Sequence, residues 1–74
     1  MKTAIVYSSP GCEACKTIIR ELMRDDIRLL VTDESQMPDD VRKHVLEQQN
    51  GALPGIVMDG RIVAPKDVLC GKIP

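Results

Sequence analysis

Cys12 and Cys15 are separated by two residues and follow directly on the turn-forming residues Pro10 and Gly11, where a helix-like segment begins. The first N–H groups of a helix have no partners within it and carry partial positive charge, so a thiolate at that point is stabilised. Free cysteine titrates near 8.5, and a helix N-terminus can lower this to roughly 3.5–7.5. On one helical turn the second sulfur comes within bonding range of the first. The pair therefore predicts thiol–disulfide exchange, with Cys12 attacking and Cys15 resolving the mixed disulfide.

Two charged residues lie close to the sulfurs, Glu13 between the cysteines and Lys16 directly after them. A metal-binding interpretation also competes with the redox one. Lys16 should favour the Cys12 thiolate and Glu13 should oppose it, so we expect a moderate lowering of the thiol pKa. A Cys-x-x-Cys pair can also be half of a zinc site, but such sites usually add a second pair or two histidines. Here the other candidates, His44 and Cys70, are isolated. Redox chemistry is therefore favoured, with His44 at the edge of an apolar stripe and Cys70 an incidental small side chain.

The elements that must position the cysteines alternate between strand-like and helix-like segments. Apolar runs predict strands, helical spacing of apolar residues predicts helices, and Asp59-Gly60 between two β-branched runs predicts a hairpin. In chain order, the predicted segments are a strand over 3–7, a helix over 12–24, a strand over 27–31, a helix over 38–50, strands over 55–58 and 61–64, and one helical turn over 66–69. The fold class is thus α/β, with a four-stranded mixed sheet in the order β-α-β-α-β-β. Its first strand pair should be parallel and its last antiparallel.

Particular residues predict which face of each helix is buried and where the second helix and the second strand begin or end. The apolar stripe of the first helix should hold Ile18, Ile19, Leu22 and Met23. In the second helix, Pro38 suits the first turn, Asn50-Gly51 the stop, and the stripe should hold Val41, Val45 and Leu46. The segment from Thr32 to Ser35 should lead the chain out of the second strand.

Length and composition limit the classes of function. The chain has 74 residues, enough for one domain over 1–74, and its single aromatic residue, Tyr7, requires an aliphatic core. Tyr7 itself could belong to that core or lie against the sulfurs. Interspersed charges with a net charge of −1 argue against nucleic-acid binding, and no apolar run could span a membrane. With three cysteines and no secretory signal, we expect a cytoplasmic monomer.

Two segments resemble landmarks of a known family. Residues 7–16, which include Tyr7-Ser8-Ser9-Pro10-Gly11-Cys12, resemble the active-site segment of glutaredoxins and of the glutaredoxin-like hydrogen donors of ribonucleotide reductase. Residues 52–60 resemble the family's second landmark, where Thr-Val-Pro precedes a strand and a tight turn. The resemblance implies a thioredoxin-like fold, here with a shortened or missing C-terminal helix, and gives Cys12 and Cys15 the roles of nucleophile and resolving thiol. It also implies a cis Leu53–Pro54 bond beside the sulfurs, with the Leu53 backbone offered to an incoming peptide or glutathione.

The chain departs from the family around the first cysteine. Glu13 and Ala14 replace a proline and an aromatic residue, and the Lys that usually precedes the motif is absent. Asp67 matches the Asp near the glutathione amino group. The resemblance therefore implies no resident cofactor, a protein disulfide as substrate, and glutathione or a thioredoxin-reductase-like enzyme as reductant; a soft-metal or iron–sulfur carrier using the same cysteines is the alternative. The candidate substrate-binding residues are Gly11, Glu13, Ala14, Leu53, Pro54 and Asp67.

Overall fold

A computed structural model of the chain describes residues 2–23 and 26–69. In chain order its elements are β1 (Lys2–Ser8), α1 (Glu13–Leu22), β2 (Ile27–Asp33), a short 3-10 helix (Glu34–Gln36), α2 (Asp39–Gln48), β3 (Gly55–Met58), β4 (Arg61–Val63) and α3 (Pro65–Leu69). The predicted α/β class and the order of strands and helices are confirmed. The helical turn expected after the last strand is α3.

The four strands form one sheet in the order β2-β1-β3-β4. β1 pairs in parallel with β2 and antiparallel with β3, and β3 and β4 form the antiparallel hairpin, as predicted. Ser8 lies opposite Asp33, and Tyr7 lies opposite Gly55. The end of β1, the end of β2 and the start of β3 therefore lie together at one end of the sheet, which we call the Ser8 end.

Apolar side chains cover both faces of this sheet. Because strand side chains alternate between faces, Ala4 and Val6 point to one side and Ile5 and Tyr7 to the other. On the first side they pack with residues of α1, α3 and the neighbouring strands, namely Ile18, Leu22, Ile56, Met58, Val63 and Val68. On the second side Tyr7 packs with Met37 and with Val41 and Val45 of α2. Tyr7 is only 7% exposed, so it belongs to this core.

Helix α1 is shorter at its C-terminal end than the apolar pattern predicts. It ends at Leu22 with Met23 as its C-cap, and Met23 is 70% exposed, so its assignment to the apolar stripe was wrong. Ile18 and Leu22 are spaced four residues apart and share the buried face, whereas Met23 lies about 100° further round the helix. The predicted end at Arg24 lies outside the described residues.

Strand β2 is longer than predicted, and α2, over Asp39–Gln48, is shorter at both ends than the predicted 38–50. Thr32 and Asp33 continue β2, because its pairing with β1 extends to Ser8. Pro38 is the N-cap of α2 and does not lie in its first turn. Leu46 is 62% exposed, whereas Val41 and Val45, four residues apart, face the sheet.

The chain reverses direction after α2 and between β3 and β4. Helix α2 ends at Gln48, after which Asn50 and Gly51 take left-handed backbone angles of φ 52° and 77°. The predicted hairpin turn is confirmed, with positive φ at both Asp59 and Gly60, as a type I′ turn requires. Strand β4 ends at Val63, one residue before the predicted end. Within residues 2–23 and 26–69, no helix has the length and apolarity needed to cross a bilayer.

Candidate active site

The loop between β1 and α1 places Cys12 at the start of the helix. Gly11 has φ 79°, a left-handed conformation that costs glycine little. The turn is closed by the Cys12 N–H, which donates to the Ser9 carbonyl at 3.3 Å. Cys12 itself has an extended backbone and is the N-cap of α1.

The Cys12 sulfur occupies the position that a serine or aspartate oxygen takes in an ordinary N-cap. It accepts a hydrogen bond from the backbone N–H of Cys15, with a donor–acceptor distance of 3.2 Å. The Cys12 carbonyl accepts from the Lys16 N–H at 3.3 Å, which begins the helical pattern. A thiolate at this sulfur would therefore receive a direct hydrogen bond from the helix as well as its N-terminal dipole.

The two sulfur atoms lie close together, as the spacing of the cysteines predicted. The Cα atoms of Cys12 and Cys15 are 5.3 Å apart and their sulfurs are within disulfide-forming contact. The pair is asymmetric in burial, because Cys15 is 2% exposed and belongs to the core while Cys12 is half-buried. An incoming reagent therefore reaches Cys12 first. Gly11, Glu13 and Ala14, all exposed, surround it along the chain.

The charges that were expected to act on Cys12 in opposite directions pair with each other. The Lys16 ammonium lies 3.4 Å from a Glu13 carboxylate oxygen, and both side chains are largely exposed. An exposed pair of this kind compensates its own charge and contributes little to stability. The local stabilisation of a Cys12 thiolate then depends mainly on the N–H groups at the start of α1.

Leu53 and Pro54 lead into β3 at the Ser8 end. The peptide bond between them is cis, as the resemblance implied, and Pro54 is buried. Gly55 follows at once and lies opposite Tyr7, one residue before the end of β1. The structure thus brings the 53–54 segment and the loop that carries Cys12 to the same end of the sheet.

Leu53 has two backbone groups that could bind a ligand, its N–H and its carbonyl. Its side chain is half-buried and packs against the core cluster under α2. Among the described residues, none accepts from its N–H and none donates to its carbonyl. Unpaired backbone groups of this kind must be satisfied by water or by a ligand.

Gln49, which sequence reasoning did not single out, holds the segment around Leu53. Its side-chain Nε2 donates to the carbonyl of Ala52 at 2.8 Å and to the carbonyl of Pro54 at 3.0 Å. The sequence contains one weak signal for this contact, a glutamine at the predicted end of α2 a few residues before Leu53-Pro54. That signal does not show where the side chain reaches.

Asp67 lies in the first turn of α3, where its N–H donates to the carbonyl of Ala64. Because Val63 lies opposite Ile56 at the start of β3, α3 also begins at the Ser8 end.

Asp33, at the end of β2, accepts from the Ser35 N–H at 2.9 Å. The Ser35 hydroxyl and then this N–H lower the pKa of the Asp33 carboxyl below its ordinary value.

The sequence offered two other candidates, His44 and Cys70. His44 is half-buried on α2, and its enclosed Nδ1 has no hydrogen-bond partner in the part of the chain that the structure describes. Cys70 lies outside the described residues. The described ranges contain no group of three or more His, Cys, Asp or Glu side chains that could hold a metal ion, so Cys12 and Cys15 are the soft donors that stand together.

Comparison of the sequence with protein families and with curated proteins identifies no relative. No protein-family model matches the sequence, and no curated protein matches it. What the site can do is therefore inferred from its own residues.

Proposed function

We propose that the chain is a thioredoxin-like dithiol–disulfide oxidoreductase of the glutaredoxin-like kind, which reduces protein or small-molecule disulfides through Cys12 and Cys15. One observation carries the proposal: the sulfur of Cys12 is the N-cap acceptor of α1 and is also in contact with the sulfur of Cys15. The first feature stabilises a nucleophilic thiolate and the second supplies its resolving partner.

The architecture supports a thioredoxin-like fold. A parallel strand pair at one edge of the sheet, an antiparallel hairpin at the other, and helices on both faces follow the order predicted from the residue patterns and suit the fold that the resemblance implied. The cis bond before Pro54 and the start of β3 stand at the same end of the sheet as the cysteines. Each of these features is independent of the others in sequence, and together they favour this fold over a metal-carrier fold in which the second and third strands pair directly.

The reaction conserves electrons in two exchange steps. The Cys12 thiolate attacks one sulfur of the substrate disulfide, the substrate S–S bond breaks, and the other substrate sulfur leaves as a thiolate that takes a proton from solvent. Cys15 then loses its proton to solvent and attacks the Cys12 sulfur of the mixed disulfide. The second substrate sulfur leaves as a thiolate that takes a proton from solvent, so the substrate gains two electrons and two protons and the chain gains a Cys12–Cys15 disulfide.

The oxidised pair must then be reduced by a two-electron donor. Two glutathione molecules or a thioredoxin-reductase-like enzyme would supply these electrons, and Asp67 is the residue we assign to a glutathione amino group. The substrate would be a disulfide exposed on a peptide or protein, and the disulfide of a ribonucleotide reductase is one example. The N–H and carbonyl of Leu53, which have no partner within the described part of the chain, fit such a peptide, because extended chains bind by forming backbone hydrogen bonds of the strand type.

The test is a single turnover with the chain as its own reductant. The chain is reduced, freed of excess reagent and mixed with a disulfide-bonded peptide; because exchange leaves the total number of thiols unchanged, the thiols on the peptide are alkylated and counted by mass spectrometry. We expect up to two thiols per chain, loss of the reaction in Cys12→Ser, and a stable mixed disulfide at Cys12, identified by mass spectrometry, in Cys15→Ser. Cys70→Ser is the matched control and should react like the wild type. If the wild type reacts no faster than a simple thiol at equal concentration, or if Cys12→Ser keeps its rate, the proposal is wrong.

A further inference from the structure

Gln49 connects the end of α2 to the segment that presents Leu53. Gln49 is the C-cap of α2; its N–H donates to the Val45 carbonyl at 3.1 Å, and its own carbonyl accepts from the Ala52 N–H at 2.8 Å. Its side chain crosses the same loop and donates to the carbonyls of Ala52 and Pro54. One residue therefore makes three hydrogen bonds to the segment on either side of Leu53.

From this arrangement we infer that Gln49 is a positioning residue, which holds the Leu53 backbone in the orientation that binds a peptide disulfide. The inference rests on the proposed oxidoreductase function and assigns that site a preference for disulfides carried by an extended peptide. Gln49 touches neither cysteine in any described contact, so it acts through the segment that it holds.

The pattern of bonds explains why Leu53 is available. The carbonyls before and after it are bound by one amide group, and its own N–H and carbonyl are left without partners among the described residues. Residues 50–54 belong to no helix or strand, and apart from the bonds to Gln49 the segment is held by the Gly51 N–H, which donates to the Val45 carbonyl at 2.9 Å. A backbone that is fixed before binding loses less conformational freedom when a peptide pairs with it.

The chemistry of the amide makes the role specific to glutamine. Two carbonyl oxygens require two donors, which the NH₂ group of Gln49 supplies, and its Oε1 is enclosed without a hydrogen-bond partner among the described residues. Glutamate at this position would be of the same size but would bring a carboxylate against two carbonyl oxygens. Methionine would be of similar length and would supply no donor. Gln48, exposed and one residue earlier, offers a matched control for the same changes.

Two substrates separate positioning from general stability. A disulfide-bonded peptide can pair with the Leu53 backbone, whereas bis(2-hydroxyethyl) disulfide has no peptide groups and reports only the exchange at Cys12. If Gln49 positions the backbone, its loss should weaken use of the first substrate and leave the second unchanged. If Gln49 only stabilised the fold, its loss would unfold part of the sample and lower the rates with both disulfides by the same factor.

The experiment measures single-turnover kinetics of the reduced wild type, Gln49→Glu, Gln49→Met and Gln48→Glu, at a temperature where urea unfolding shows each chain folded. For both Gln49 variants we expect the half-saturating peptide concentration to rise about tenfold, equivalent to about 1.4 kcal/mol, with a limiting rate within about twofold of wild type. With bis(2-hydroxyethyl) disulfide, both Gln49 variants should react at the rate of the wild type. Gln48→Glu should match the wild type with both substrates.

Three results would overturn the inference. One is an equal loss with both disulfides, and another is no change with the peptide. The third is failure of both Gln49 variants to fold, since that would make Gln49 a residue of the fold alone. A wild type that reduces neither disulfide would instead refute the proposed function, and with it the inference.

Discussion

Gly55, the first residue of β3, lies directly beneath α2 and leaves no room for a side chain. A Cβ added there would lie 2.9 Å from Cε of Met37, 3.1 Å from Cγ1 of Val41 and 3.4 Å from Cγ2 of Val45. Carbon atoms in good contact are about 3.5–4.0 Å apart. We predict that Gly55→Ala destabilises the chain by about 1–2 kcal/mol.

The size of this loss of stability depends on which neighbouring atoms can move away from the added methyl group. Met37 Cε is the end of a flexible side chain and can rotate away at small cost, but Val41 is β-branched and held in one rotamer on the helix. The helix must therefore shift by a few tenths of an ångström, and overpacking of this kind costs about 1–3 kcal/mol. Alanine returns about 0.4–1 kcal/mol by restricting the unfolded chain. The central values of the two terms, about 2 and about 0.7 kcal/mol, leave a net loss of about 1.3 kcal/mol, within the range given above.

Urea unfolding of the wild type, Gly55→Ala, Val41→Ala and the double variant measures the effect and its cause. In the double variant the new methyl group fits the space that Val41 vacates, so its loss of stability should be smaller than the sum of the single losses by about 1 kcal/mol. Gly55→Ala as stable as the wild type, or strictly additive losses, would refute the close approach of α2 to β3.

Three further predictions concern the core, the charges beside Cys12 and the cap at the end of β2. Leu22→Ala, at a side chain with 0% exposure, should cost about 2–5 kcal/mol in urea unfolding, whereas Leu46→Ala, at an exposed side chain of another helix, should cost far less; equal losses would contradict the assigned faces. Glu13→Gln should lower the pKa of the Cys12 thiol, because Lys16 loses its partner and its charge then favours the thiolate; thiolate absorbance against pH measures it, with Glu47→Gln as a distant control that should change nothing. The Ser35 hydroxyl and N–H lower the pKa of Asp33 in the folded chain, so its carboxylate stabilises the fold above the ordinary aspartate pKa and this contribution is lost as the pH falls through the lowered value. Asp33→Asn should therefore flatten the acid side of the stability profile, and an unchanged profile would count against that cap.

Local patterns predicted the elements that place the cysteines, since each depends on neighbouring residues. The apolar run of β1, the glycine before Cys12 and the helical spacing of Ile18 and Leu22 were enough to put a thiol at the start of α1. The Asp59-Gly60 hairpin was readable for the same reason, because its backbone angles are a property of the two turn residues.

Features that depend on a partner distant in sequence could not be read in this way. Strand β2 continues through Asp33 because β1 offers a pairing partner that far, which the residues of β2 do not reveal. Helical spacing alone could not decide that Met23 and Leu46 face solvent, since each is adjacent to a residue that faces the sheet. The reach of Gln49 to two carbonyls requires the path of the loop, and no pattern of residue types specifies that path.

Under the proposed function, the sulfur that caps α1 is also the atom that changes oxidation state, so the stability of the first helical turn and the reduction potential of the cysteine pair are thermodynamically linked. A stronger hydrogen bond from the Cys15 N–H to the Cys12 thiolate would stabilise the reduced form of the pair. It would therefore raise the reduction potential and make the disulfide easier to reduce. Sequence changes in this turn, even ones that leave both cysteines untouched, would then adjust the driving force of the couple. Selection acting on helix propensity between residues 12 and 16 would at the same time be selection on redox poise.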